Sequence, residues 1–215
     1  SLFLLLTVRY VLTLEREQWW RCASLGVLAG LCRAPGGLLL GLTGLYLFMR
    51  WRRGRRPTIP SLLAMSSPAA GLGLYFLLNY LVYGRWNQYH IYQWDNWNQK
   101  LGLFTNTVRY HLDYMAQWWD SSPKSALALC LAAVLCLLTI LALLSATVRR
   151  LPAHWLGFGL AYFAVTMGTT WLISAPRYAV GLFCLPVALA LLLQGRPRLT
   201  KGVLVTPVIV SGIYS

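Results

Sequence analysis

"SALALCLAAVLCLLTILALLSATV", residues 125–148, carries no charged residue and lies between Lys124 and the pair Arg149–Arg150. A helix rises about 1.5 Å per residue, so about twenty apolar residues cross the roughly 30 Å of a bilayer's hydrocarbon core. This run is long enough, and its composition leaves a helix no polar face to show to water. It predicts a membrane-spanning helix. Two further runs pass the same test, Leu62 to Tyr83 and Leu151 to Ile173. Tyr178 to Gln194 is a slightly shorter fourth, and Val203 to Tyr214 reads as a fifth crossing.

The whole composition agrees. Hydrophobic residues make up 58% and charged residues 11%, with a mean hydropathy of +0.56, outside the range of soluble globular domains. Ten Trp and twelve Tyr suit the two membrane–water interfaces. The expected fold is all-α, a polytopic transmembrane helix bundle of about seven or eight membrane helices with an interfacial amphipathic helix. Residues 1–215 form a single transmembrane domain fragment. Three short membrane helices fill 1–49, over Leu2–Leu14, Gln18–Cys32 and Pro35–Met49. A basic cytoplasmic loop follows at 50–61, a transmembrane helix at 62–83, a non-cytoplasmic amphipathic segment at 84–123, and C-terminal transmembrane helices over 124–215. The chain opens without Met, basic n-region or small-residue cleavage site, on a stretch already apolar. The expectation is a C-terminal portion of a longer protein.

A net charge of +14 raises the question of nucleic acid. No stretch between the apolar runs is long enough to fold into a domain presenting a basic patch, so no nucleic acid partner is expected. Membrane lipids explain the charge better. Alternating the crossings places Arg16, Arg21, the "RWRRGRR" run at 50–56, Arg149, Arg150, Arg196, Arg198 and Lys201 on one side. Only Arg33, Arg85, Lys100, Arg109, Lys124 and Arg177 fall on the other. The positive-inside rule makes the first side cytoplasmic, and "RWRRGRR" reads as a topological anchor.

Arg33 in "CRAPGG" and Arg177 in "SAPRY" then stand on the non-cytoplasmic side, where topology does not call for arginine. Each could snorkel to the interface or cap a helix end. The alternative is a site, because ionisable residues at membrane depth face bundle interiors and ligands. Pro35, Gly36 and Gly37 after Arg33, and Pro176 before Arg177, suggest helix starts whose free N–H groups help bind an anion. Two guanidinium forks there would suit a phosphate or pyrophosphate head group.

The same side carries "GRWNQYHIYQWDNWNQKLGLFTNTVRYHLDYMAQWWD", residues 84–120. Trp94, Trp97, Leu101, Phe104, Val108, Leu112, Met115 and Trp119 recur at steps of three and four, the period of an amphipathic helix lying in the interface plane. His90, Gln93, Asp95 and His111 are its polar groups that could reach a substrate. No metal, nucleophile or phosphate-loop signature accompanies them, and no cofactor is called for. Cys22, Cys32, Cys130, Cys136 and Cys184 read as small core residues.

Three blocks together carry a resemblance. The opening residues 1–40, with Arg33-Ala34-Pro35-Gly36, resemble the helix, basic turn, returning helix and "R-P-x-G-LLL" motif of PIG-V-type mannosyltransferases of the GT-C superfamily, with one alanine inserted between arginine and proline. "YHIYQWDNWNQKLG" is similar to that family's juxtamembrane "F-x-x-x-Q-x-x-x-W" segment, with Gln93 and Trp97 in register. "SAPRYAVGLFCLPVALAL" resembles its closing helix, matching Ser174, Pro176, Arg177 and Tyr178. The resemblance implies an integral-membrane glycosyltransferase that moves a sugar, typically mannose, from a polyprenyl or dolichyl phosphate, a lipid-linked sugar donor, to a glycan or lipid acceptor on the non-cytoplasmic face. It implies a donor phosphate site of Arg33, Arg177 and Tyr178 and substrate contacts from Gln93 and Trp97, to which the reading of the segment's polar groups adds His90. The family's catalytic Asp has no counterpart in these residues. A transporter or flippase for an anionic lipid, or a non-catalytic scaffold, are the rival readings. Short loops favour a bacterial plasma membrane over the endoplasmic reticulum.

Overall fold

The computed structural model describes residues 1–97, 104–169 and 175–200, and over these the chain is all-α. Helix α1 spans Leu2–Glu15 and α2 spans Trp19–Cys32. The turn between them closes α1 with two bonds, Glu17 N–H to the Leu14 carbonyl (3.0 Å) and Gln18 N–H to that of Thr13 (2.9 Å). That is a Schellman pattern, with Glu17 at φ 56° in the left-handed position that glycine usually takes. The Glu17 carboxylate offsets the strain by pairing with Arg50 at 2.9 Å and Arg55 at 3.3 Å.

A five-residue 3₁₀ helix, Ala34–Leu38, leads into α3, Leu39–Arg52. Helix α4, Ile59–Tyr83, opens on a reciprocal capping box between Thr58 and Ser61 and ends at Gly84, φ 67°. The basic segment expected at 50–61 is therefore partly helical at both ends. Helices α2 and α4 cross closely because both present small residues four apart, Gly26 and Gly30 on one and Ser67 and Gly71 on the other. A Cβ on Gly30 would collide with the Pro68 carbonyl, and one on Gly71 with that of Val27.

Pro68 lies inside α4 and has no N–H to give to the Ala64 carbonyl one turn back. That carbonyl accepts instead from Tyr10 Oη (3.1 Å) and Ser67 Oγ (2.9 Å). The Thr43 hydroxyl donates in turn to Tyr10 Oη at 2.6 Å. One buried network so ties α1, α3 and α4 at the point where the proline would leave a polar group stranded in an apolar interior.

Two helices fill the amphipathic segment, α5 at Gln88–Trp97 and α6 at Thr105–Trp119. Helix α7, Pro123–Ala146, contains a π-helical stretch at Ala126–Leu131 against which α6 packs. On α6 the buried residues are Thr107 and His111, while Leu112 and Trp119 of the expected apolar stripe stay exposed. Phe104 turns inward to stack on Phe163, centroids 5.0 Å apart. Helix α8, Ala153–Met167, follows Pro152. The expected crossing over 178–194 is instead two helices, α9 at Ala175–Ala179 and α10 at Cys184–Leu193. Turn bonds from Gly181 to Tyr178 and from Leu182 to Ala179 separate them, and Pro186 in the first turn of α10 cannot donate to a continuous helix.

The core gathers Tyr10, Leu39, Leu42, Leu144, Phe158, Tyr162 and Cys184 from α1, α3, α7, α8 and α10. Of the described helices, α4 and α7 are long and apolar enough to cross a membrane, against the seven or eight expected. Helices α1, α2 and α3, of 14 residues each, and α8, of 15, run only about 21 to 23 Å. The expected crossing at Val203–Tyr214 lies outside the described residues.

Chain direction sorts the ends of these helices into two faces. At one face Glu17 meets Arg50 and Arg55, His154 Nε2 donates to Glu15 Oε1 at 2.7 Å, Trp155 Nε1 donates to the same oxygen at 3.2 Å, and Arg150 donates to the Leu191 carbonyl at 3.2 Å. The opposite face gathers the start of α1, the end of α2 and the end of α9.

Candidate functional site

The second face holds the two arginines that topology left unexplained. Helix α2 stops at Cys32, and Arg33 takes an extended backbone, φ −161° and ψ 139°, that redirects the chain. Pro35 sets the first turn of the 3₁₀ helix, and Gly36 lies so close to α2 that a Cβ would strike the Ala29 carbonyl. The turn is thus pressed against the helix it follows, which fixes where the Arg33 side chain emerges. Its guanidinium carbon lies 5.0 Å from the centre of the Tyr178 ring, a cation–π arrangement. Tyr178 is held in place by its own carbonyl, which accepts from Tyr162 Oη at 3.0 Å. Tyr162 stacks on Phe3, centroids 6.2 Å apart. Four helices, α1, α2, α8 and α9, so converge on one spot.

A cavity of about 470 Å³ opens there, with Arg33, Arg177 and Cys32 on its polar side and Leu2, Phe3 and Val180 among its apolar walls. Arg33 is half-buried and Arg177 exposed. All five carboxylates of the chain belong to described residues, and none lines this cavity or pairs with either arginine. Two uncompensated guanidinium groups beside an apolar wall would favour an anionic group attached to something greasy. Arg33 is preoriented by its stack on Tyr178, while the Arg177 side chain is exposed at the cavity.

Helices do start at Pro35 and Pro176, but both are short. Ala34–Leu38 and α9 have five residues each, too short for a useful dipole, and the Gly36 N–H is occupied by the Arg33 carbonyl at 2.8 Å. Anion binding here falls to side chains. Gln93 is half-buried on α5, a helix joined to the end of α4 through Tyr83 and Tyr92, and it is not among the residues lining the cavity. The side chains of His90, Trp97 and Pro176, and the whole of Ser174, lie outside the described residues. His111 is 1% exposed and packs edge-on against Tyr110, so it reaches no open surface, and burial lowers its pKa. Asp95 is exposed. Cys22, Cys130 and Cys184 are buried as expected, but Cys32 is exposed at the cavity.

Sequence spacing gave no sign of Phe3 and Tyr162, which position Tyr178. Nor could it show the Glu15–His154 pair, 139 residues apart, although both partners border helix ends on the same predicted face. Among the described residues no three His, Cys, Asp or Glu side chains come together as a metal site would require. No protein-family model, curated protein or solved structure matches the chain, so the site stands on its own residues.

Proposed function

We propose that this chain forms part of an integral-membrane glycosyltransferase that takes a sugar, mannose in the first instance, from a polyprenyl or dolichyl phosphate on the non-cytoplasmic side. The observation that carries the reading is that Arg33 and Arg177, 144 residues apart, line one cavity at the face opposite the arginine-rich one, with Arg33 stacked on Tyr178. A lipid phosphate has the shape for that cavity: an anion for the guanidinium groups and a chain for the apolar wall.

The membrane part of the proposal rests on exposed apolar surface as much as on helix length. Leu74, Leu77, Leu78, Leu81 and Val82 on α4 and Leu127, Leu135, Leu138 and Leu141 on α7 face outward. Such continuous apolar faces are rare on water-soluble monomers and ordinary against lipid. Crossings by the shorter helices would be completed by local thinning of the bilayer and by flanking arginines that snorkel to the interface.

In the proposed reaction the bond from the sugar's anomeric carbon to the donor phosphate breaks as the acceptor hydroxyl attacks. Charge builds on the departing phosphate, and preplaced cations that strengthen their contact at that moment lower the barrier. Arg33 and Arg177 supply them. The cavity's described lining holds no general base, so this chain's share of the chemistry is to hold the donor and stabilise the leaving group. Among the described residues the buried groups Tyr10, Thr43 and the Ala64 carbonyl bond to one another rather than facing a path, which favours a transferase over a transporter or flippase.

The test is sugar transfer in membranes containing the protein. Incubation with radiolabelled polyprenyl phosphate mannose and with the glucose analogue should release polyprenyl phosphate from one of them, and Arg33→Ala/Arg177→Ala should abolish release. Release at the parent rate by the double variant, with equal amounts in the membrane, contradicts the proposal.

A further inference from the structure

The backbone does not require glycine at 181. In the turn between α9 and α10 this residue lies outside the left-handed region, where other residues are equally at home. What excludes a side chain is Tyr162. A Cβ on Gly181 would overlap Tyr162 Oη, with the ring's Cζ at 3.0 Å and the Tyr178 carbonyl oxygen at 3.3 Å. The glycine leaves room for one hydroxyl. That hydroxyl donates to the Tyr178 carbonyl at 3.0 Å, and the Gly181 N–H donates to the same oxygen at 3.0 Å. A continuous α-helix would give this carbonyl to the N–H of Leu182; here Leu182 donates to Ala179 at 3.0 Å.

Both arginines of the cavity depend on this carbonyl. Tyr178 follows Arg177 in the chain, so a fixed Tyr178 peptide fixes the backbone from which Arg177 leaves α9. The Tyr178 ring carries the Arg33 guanidinium, 5.0 Å from its centre. Ala175, fully buried, pins the other end of α9. Tyr162 has no room to retreat, since it is fully buried, with Phe3 and Phe158 at centroid distances of 6.2 and 5.9 Å. Neither Tyr162 nor Gly181 is among the described residues lining the cavity, so both act through their neighbours.

We infer that Tyr162 and Gly181 are a positioning pair for the cavity: one hydroxyl, and the space the glycine leaves for it, hold Arg33 and Arg177 in register so that they act together on one phosphate. This rests on the proposed donor site. Contacts to the departing phosphate strengthen in the transition state, so misalignment shows in turnover more than in donor affinity.

The complete protein in membranes is assayed with polyprenyl phosphate mannose, and rates are normalised to folded protein. Gly181→Ala pushes Tyr162 Oη aside by about 1 Å, a displacement that costs up to about a hundredfold in rate. Its kcat should fall about tenfold to a hundredfold, with donor KM moved less than about threefold. Tyr162→Phe removes the hydroxyl without crowding and should lower kcat by up to about tenfold, the worth of one neutral hydrogen bond. The double variant Gly181→Ala/Tyr162→Phe separates positioning from a general need for glycine. Without Oη the added methyl meets only a ring tip, which yields, so the double variant should turn over as Tyr162→Phe does and faster than Gly181→Ala. Tyr162→Phe should also cost less on an Arg33→Ala background, where half of what the hydroxyl aligns is gone. A double variant no faster than Gly181→Ala overturns the inference alone. So does a Gly181→Ala protein that accumulates less but keeps the parent kcat, or an equal cost of Tyr162→Phe with and without Arg33. A parent whose transfer ignores Arg33→Ala/Arg177→Ala overturns the donor site and this inference together.

Discussion

Tyr10→Phe isolates the consequence of placing Pro68 inside α4. The substitution keeps the ring, fully buried in the parent, and removes only the hydroxyl. Two contacts go with it: the donation to the Ala64 carbonyl at 3.1 Å and the acceptance from Thr43 at 2.6 Å. Single interhelical polar contacts in membrane proteins average about 0.6 and reach about 1.7 kcal/mol. Ser67 Oγ still serves Ala64, so the carbonyl keeps one donor, but the Thr43 hydroxyl is left with no acceptor in a dry interior. The expected loss is about 1 to 2 kcal/mol, read by equilibrium unfolding in detergent micelles. The decisive part is the double-mutant cycle. Pro68→Ala restores the N–H that the helix lacks, so Ala64 no longer depends on Tyr10, and Tyr10→Phe should then cost at least about 0.5 kcal/mol less. Additive effects, or no loss from Tyr10→Phe alone, would refute the reasoning that the network exists to serve the carbonyl freed by the proline.

Gly71→Ala should destabilise by about 1 to 3 kcal/mol in the same assay, since its Cβ meets the Val27 carbonyl, whereas Gly41→Ala, with nothing near, should be neutral or slightly stabilising. Glu17→Ala loses both ion pairs and keeps the positive φ, while Glu17→Gly loses the pairs but relieves the backbone, so the glycine variant should be the more stable by about 1 kcal/mol. Burial lowers the His111 pKa, so the unfolded chain takes up this proton first; stability should fall as pH drops below about 6.5 and level off below the folded-state pKa, and His111→Phe should flatten that slope. For orientation, cysteine labelling with an impermeant reagent should reach Gly54→Cys only from the cytoplasmic side and Asn106→Cys only from the other; labelling of both from one side contradicts the alternation.

What could be read in the chain beforehand was whatever a local run of residues determines. The helices expected at Leu2–Leu14, Gln18–Cys32, Leu62–Tyr83 and Ser125–Val148 appear within three residues at each end, because apolar stretches flanked by charged or turn-forming residues leave little freedom in where a helix stops. The break at 180–183 escaped, since Gly181 and Pro186 inside an apolar run look the same in a kinked helix and in two separate ones. The protein-facing side of α6 escaped for a different reason. Its apolar stripe reads as a surface for the interface plane, and nothing in the spacing marks Thr107 and His111 as the residues buried on the helix that packs against residues 126–131. Arg33 and Arg177 could each be singled out by standing where topology gave them no task. Their shared cavity could not, because proximity across 144 residues depends on Phe3 and Tyr162 holding Tyr178 beneath the Arg33 guanidinium.

The most direct test of the donor site is the affinity of the complete protein, in membranes or purified, for a polyprenyl phosphate sugar, with Arg177→Ala and Arg177→Lys compared at equal amounts of folded protein. A charge-assisted contact is worth about 1.5 to 3 kcal/mol, so Arg177→Ala should weaken binding roughly tenfold to more than a hundredfold. Arg177→Lys should recover only part of it, because an ammonium keeps the charge without the planar fork. An arginine that merely anchors its helix would be replaced fully by lysine, and alanine would lower the amount of folded protein without changing its affinity. If donor KM and kcat of Arg177→Ala both stay within about twofold of the parent, a change of about 0.4 kcal/mol, the cavity between Arg33 and Arg177 does not hold the donor phosphate.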